Sequence, residues 1–171
     1  QGFILTTPLQ LAVMISRLVN GGRAVQPSLT RQIISPSDHA SQIRVAGEFE
    51  KIGIHSTHLE VMARAMSAVT NSPTGTAFKA RIRDGKQSMG GKTGTVQVRR
   101  ISKAERETGV LKNKDLEWHE RDHAVFVGFA PVQTPRYAVS VVVEHGGSGS
   151  SSAAPIARDI LLEVQRRDPT R

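Results

Sequence analysis

Gly90-Gly91-Lys92-Thr93-Gly94-Thr95-Val96-Gln97-Val98 carries the strongest chemical signal in the sequence. From Thr93 to Val98, β-branched residues alternate with Gly and Gln, the period of a strand. A lysine, two hydroxyls and one residue without a Cβ on a single strand can hold a carboxylate-bearing, acyl-transferring substrate. Gly91-Lys92-Thr93 could also close a phosphate-binding loop. The spacing G-x-x-x-x-G-K-[ST] then demands glycine at position 86, where Lys86 stands, with Gly85 one residue too early. A phosphate loop also runs from strand into helix, whereas this segment runs into a strand. Both failures exclude nucleotide binding.

The 171 residues suffice for one domain, and 38% hydrophobic with 22% charged residues is an ordinary globular balance. Only 4% are aromatic, so the core is expected to be aliphatic. The absence of cysteine excludes disulfides and thiolate metal sites without fixing a compartment. No run approaches the roughly 18 apolar residues of a membrane span. The net charge of +8 is spread along the chain with no aromatic-interleaved motif beside it, so nucleic acid is not an expected partner. The opening at Gln1, which runs at once toward a helix start, reads as part of a longer protein.

Outward from the Lys-Thr-Gly strand, the elements follow from local chemistry. Thr7-Pro8-Leu9-Gln10 is a capping box with proline at the first helical position. It predicts a mostly buried helix that ends at Asn20-Gly21-Gly22. Pro27 and Pro36 bracket a β-like Leu29 to Ile34. Thr57-His58-Leu59-Glu60 reads as a second capping box, with Leu59, Met62, Met66 and Val69 as an apolar stripe before Asn71-Ser72-Pro73. Those methionines read as core. Arg99 to Asp122 mixes charges of both signs and predicts an exposed excursion. Ala124 to Ala130 and Tyr137 to Glu144 predict an antiparallel hairpin. His145 to Ser150 predicts a flexible polar loop, and a helix from about Ala153 to Arg166 carries Ile156, Ile160, Leu161 and Val164 on one face.

Taken together, Thr6 to Ala12, Pro73-Thr74-Gly75-Thr76-Ala77, Gly91 to Thr95, Val127 to Pro131 and Glu144 to Gly147 resemble the C-terminal half of a penicillin-binding protein transpeptidase domain. The likeness is greatest to the class B, elongation-type penicillin-binding protein 2 branch and covers essentially the whole chain. It implies an α/β (α+β) fold in which an antiparallel sheet packs between helices, with residues 1–171 as the C-terminal part of a single domain. Such enzymes cross-link peptidoglycan at the periplasmic face of the bacterial inner membrane. A serine attacks the D-Ala-D-Ala bond of a stem peptide, and the acyl group passes to an amine on a neighbouring stem, so one hard amide exchange becomes two acyl transfers. The implied partners are stem peptides, β-lactams and membrane proteins of the elongation machinery; no cofactor is implied.

Carried over by position, Lys92 is expected beside the catalytic cleft, supporting proton transfer and the substrate carboxylate. The hydroxyls of Thr93 and Thr95 are expected to bind that carboxylate, with the Thr95 N–H as an oxyanion donor. Gly94 is expected to let a peptide lie along the strand. One departure is severe. The residues three before the seven lysines are Glu48, Thr76, Arg83, Met89, Arg100, Gly109 and Leu111, so S-x-x-K is absent; Leu18, Val69 and Leu111 precede the asparagines by two, so S-x-N is absent as well. The nucleophile is not in this sequence, and the chain alone is expected to be inactive. The Tyr137 to Glu144 strand would lack a neighbour, which predicts self-association, strand exchange or a helix covering that edge.

Other chemistries are weaker. His119-Glu120-Arg121-Asp122-His123 matches H-E-x-x-H, a zinc-protease signature, but a strand follows it directly and it lacks a third ligand. His145-Gly146-Gly147 could shape an oxyanion hole, yet no G-x-S-x-G elbow exists and the loop reads as a cleft rim. His39, His55 and His58 read as surface residues. A non-catalytic module that binds substrate or partner is the remaining alternative.

Overall fold

A computed structural model describes residues 4–30, 32–37, 41–43 and 47–168. Helix α1 (Pro8–Val19) starts as its sequence dictates: the Thr7 hydroxyl accepts from Gln10 N–H at 3.2 Å and the Gln10 side chain accepts from Thr7 N–H at 2.8 Å. Gly21 and Gly22, both at positive φ, end it. It is not mostly buried, as its composition suggested. Only Ile15 is fully enclosed, and Leu9 and Met14 face an open groove with Pro27, Ile52 and Ile54. Strand β1 (Gln32–Ile34) lies within the β-like segment and pairs antiparallel with β2 (Ser41–Ile43), which carries no sequence signal strong enough to read.

Helix α2 (Ser56–Asn71) begins one residue before the expected capping threonine. His55 is the N-cap, its Nδ1 accepting from Thr57 N–H, so Thr57 sits within the first turn. Of the expected stripe, Leu59 and Met66 are buried and Met62 is exposed. His58 is exposed, consistent with a surface histidine; His39 lies outside the described residues.

The main sheet has the order β3-β4-β5, all antiparallel, from β3 (Gly90–Val96), β4 (His123–Ala130) and β5 (Tyr137–Val143). The Lys-Thr-Gly strand therefore starts three residues earlier than its alternation suggested. Gly90 and Gly91 have little strand propensity, but they are required by close approach. A Cβ on Gly90 would stand 2.8 Å from the Phe129 ring, and one on Gly91 would stand 2.3 Å from the Phe126 ring.

Alternation along β4 sends Ala124, Phe126, Gly128 and Ala130 to one face and Val125, Val127 and Phe129 to the other. The first face packs with Met89, Val141, Ala157 and Leu161 against helix α4 (Ala154–Arg167); the second packs with Ile15 and Met66 of α1 and α2. Phe126 and Phe129, both fully enclosed, are the largest anchors of these two layers, each worth about 1.5–3 kcal/mol of burial. This is the expected α/β arrangement of an antiparallel sheet between helices.

Two expectations about α4 and its approach are corrected. The buried stripe is Ala154, Ala157, Leu161 and Gln165, while Ile156, Ile160 and Val164 are exposed. Small residues face inward because the chain lies almost on the sheet. At Gly149, which opens a π-turn (Gly149–Ala153) leading into α4, a Cβ would meet Val125 O at 2.3 Å and Gly94 O at 2.6 Å. Nor is 145–150 a free loop: His145 N–H donates to His123 Nδ1 at 2.9 Å, Gly147 N–H to Asp122 O at 2.8 Å, and Ser152 Oγ to Gly146 O at 2.7 Å.

The 99–122 excursion is more ordered than its charge pattern suggests. It contains the short helix α3 (Lys103–Thr108), clamped by an Arg99–Glu105 fork. Asp122 fastens its far end, accepting from Val98 N–H and Asn113 Nδ2 while its own N–H donates to Asn113 Oδ1.

Candidate active site

Strand β3 has β4 on one side and, among the described residues, no strand on the other. Its upstream end is fixed from below. Thr70, fully buried near the end of α2, donates its hydroxyl to Met89 O at 2.5 Å, and Asn71 Nδ2 donates to the same carbonyl at 2.9 Å. The residue before the strand thus hangs from the preceding helix by two hydrogen bonds. Gly75 packs its backbone on the carbonyls of Ala68 and Val69, where a Cβ would come within 2.4 Å.

The pairing register divides the motif between two faces. Thr93 stands opposite Phe126 and Thr95 opposite Ala124, on the α4 side; Lys92 stands opposite Val127 and Gly94 opposite Val125, on the α1–α2 side. Lys92 is exposed and its Nζ donates to Thr93 O at 2.7 Å. Among the described residues it has no acidic partner. All four site residues are thus together on one accessible strand, but the lysine and the hydroxyls approach it from opposite faces. A ligand meeting both must lie along the open edge of β3.

Thr76 escapes a sequence reading, although it stands within Pro73–Ala77. Its Oγ1 lies 3.2 Å from Thr93 Oγ1. The contact spans 17 positions, and the close seating of Gly75 on α2 holds the neighbouring backbone in place for it. Beyond Thr76 opens a cavity of about 560 Å³ that also touches Phe78, Lys79, Ser150, Ser151 and Pro155.

The zinc-protease geometry is absent. Trp118–Glu120 is a single 3₁₀ turn and His123 is the first residue of β4, so the two histidines do not share a helix face. His123 Nδ1 is occupied by the His145 N–H, and the His145 ring packs at 4.7 Å from His123 and 4.5 Å from Trp118. Among the described residues no cluster of three metal-ligating side chains forms. His145 itself, at φ 53°, serves the turn between β5 and α4.

The family model for the penicillin binding protein transpeptidase domain matches residues 1–162. The chain belongs to the penicillin-binding protein transpeptidase family. Among relatives of this family, the peptidoglycan D,D-transpeptidase MrdA of Haemophilus influenzae is 32% identical over 168 residues, covering 94% of this chain and 24% of that protein. MrdA of Acinetobacter baumannii is also 32% identical, over 174 residues, covering 100% and 24%. The chain spans about a quarter of the length of the curated relatives it matches.

Among solved structures, Pseudomonas aeruginosa PBP2 in complex with WCK 5153 superposes with a TM-score of 0.70 at 30% identity, covering 99% of this chain and 31% of that one. PBPA of Mycobacterium tuberculosis gives 0.72 at 25%, covering 98% and 36%. These relatives bear out the PBP2-type transpeptidase resemblance and the partial transpeptidase fold.

Proposed function

We propose that residues 1–171 are the C-terminal part of a single transpeptidase domain and form one wall of a peptidoglycan D,D-transpeptidase active site of the elongation type. The observation that carries this is β3 itself: an open-edged strand with Lys92 on one face, Thr93 and Thr95 on the other, and Gly94 between them. A donor stem ending in D-Ala-D-Ala lies along that edge, with Gly94 leaving room for its backbone. Thr93 and Thr95 bind its terminal carboxylate, and the Thr95 N–H faces the oxyanion of the tetrahedral intermediate. Lys92 reaches the opposite wall, where the nucleophilic serine and its lysine belong. The serine Oγ bonds to the penultimate carbonyl carbon, D-alanine leaves with the proton, and an amine of a second stem displaces the serine.

β-Lactams enter by the first half of this sequence, in keeping with the ceftriaxone acyl-enzyme complex named for Mycobacterium tuberculosis penicillin-binding protein A, 26% identical to this chain. The location proposed for the parent is the periplasmic face of the inner membrane; no described helix is long and apolar enough to cross a membrane. A membrane protein of the elongation machinery is the expected partner, as Helicobacter pylori PBP2 is found with MreC. Alone, the chain has no nucleophile to acylate.

Labelled penicillin tests this. The isolated chain takes no covalent label, whereas the chain joined to the coding region upstream of it does, and Lys92→Ala in that longer protein cuts labelling by at least tenfold. Stoichiometric labelling of the chain alone, or an unlabelled longer protein, refutes the reading.

A further inference from the structure

The division of β3 into two faces leaves a charge unaccounted for. If Thr93 and Thr95 bind a carboxylate, its counter-cation belongs on their side of the strand, and Lys92 is on the other. The neighbouring strand supplies none, because its residues on that face are Ala124, Phe126 and Gly128. The cation on that side is reached through Thr76.

We propose that the cavity beyond Thr76 is a carboxylate subsite in which Lys79 is the specificity-determining cation for a peptide lying on β3. This rests on the reading of β3 as a peptide-binding strand. Three observations support it. First, Thr76 lines the cavity and its hydroxyl lies 3.2 Å from that of Thr93 on the strand. Second, its lining residues include Thr76, Ser150, Ser151 and Lys79, with no acidic residue among them, and the Ser150 hydroxyl lies 3.0 Å from that of Ser148. Hydroxyl donors beside a cation suit an anion rather than a second cation.

The field is reinforced from the wall. The Arg81 guanidinium lies 3.9 Å from the centroid of the Phe78 ring and donates to Phe78 O at 3.0 Å, and neither Lys79 nor Arg81 is ion-paired among the described residues. Third, both walls are held in place. Gly75 is seated on α2, and Gly149, just before Ser150, is seated on Gly94 and Val125, so neither wall has to order on binding. Pro73, Phe78 and Pro155 supply apolar surface for the aliphatic part of the residue that carries the carboxylate.

The test uses the 171-residue chain, ¹⁵N-labelled, titrated with an N-acetylated peptide ending in D-Ala-D-Ala and with the same peptide as its C-terminal amide. The free acid binds about tenfold more tightly than the amide, the size of one charge-assisted hydrogen bond. It shifts the amides of Thr93 to Val96 together with those of Thr76, Ser150 and Ser151. Lys79→Met keeps the aliphatic stem and the fold, since Lys79 is exposed, and reduces the acid-to-amide ratio to about one while leaving amide-peptide binding unchanged. Thr76→Val gives an intermediate loss and Thr76→Ser restores it. An unchanged ratio in Lys79→Met, with β3 still shifting, overturns the subsite alone. If neither peptide moves Thr93 to Val96, the peptide-binding reading of β3 fails, and the subsite fails with it.

Discussion

The attachment of β3 to α2 through the Met89 carbonyl makes a quantitative prediction. That carbonyl, in a fully enclosed residue, accepts from Thr70 Oγ1 at 2.5 Å and from Asn71 Nδ2 at 2.9 Å. Thr70→Val is nearly isosteric and removes one bond, costing about 1 kcal/mol; Asn71→Leu removes the other, for a similar cost. In each single variant the carbonyl keeps a partner. The double variant leaves a buried acceptor with none, and the desolvation penalty of about 1–3 kcal/mol then appears in full. The pair is therefore predicted to be worse than the sum of the singles by at least about 1 kcal/mol. Urea unfolding followed by circular dichroism, with all four proteins at equal m-value, measures this coupling. Amide exchange of Gly90 to Val96 should accelerate most in the double variant. Additivity within about 0.3 kcal/mol would show that the carbonyl is not shared as described.

Three further outcomes follow from the packing. Gly149→Ala places a Cβ 2.3 Å from Val125 O and should destabilise by about 1–3 kcal/mol, read as a lower thermal midpoint; an unchanged midpoint would mean that the turn is not seated on the sheet. The Arg99 guanidinium, hydrogen-bonded to Glu105, holds that carboxyl down at about 2 from an ordinary 4.5. Because the folded value is the lower one, the contribution of this clamp to stability is present above about pH 4.5 and is lost as pH falls toward 2. A carbon-13 titration should find the Glu105 midpoint near 2 in the native chain and back in the usual carboxylate range in Arg99→Gln; a native midpoint near 4.5 contradicts the clamp. The outer edge of β5 is unpaired among the described residues and Val142 is exposed, so the isolated chain should self-associate with rising concentration in light scattering, and Val142→Lys should weaken this. A strict monomer at all concentrations refutes it.

What could be read from the sequence was what local chemistry determines. The α1 capping box, the stop at Gly21 and Gly22 and the β4–β5 hairpin depend on neighbours in sequence and were found close to where they were expected. The α2 start was misplaced because His55 caps as Thr57 would have, through a ring nitrogen that lies outside the usual capping vocabulary. The α4 stripe was misread because periodicity identifies faces and residue size was used to choose between them; the close seating of Gly149 reverses that choice. His119 to His123 has the spacing of a helical metal site, but β4 claims His123. At the candidate site, Lys92 to Thr95 were legible as residue types. Their division between two faces required the register, and the Thr76 contact required the tertiary seating of Gly75 on α2.

The ring of Phe126 has a bearing on how this surface can change over generations. It sits where a Cβ on Gly91 or on Gly128 would fall, at 2.3 and 2.7 Å, so neither position admits any other residue without displacing the core's largest anchor. Heritable variation is thereby steered away from the buried face of β3 and β4. It is left to solvent-facing positions such as Thr95, Val96, Thr76 and Ser151, where a new side chain has room to be accommodated.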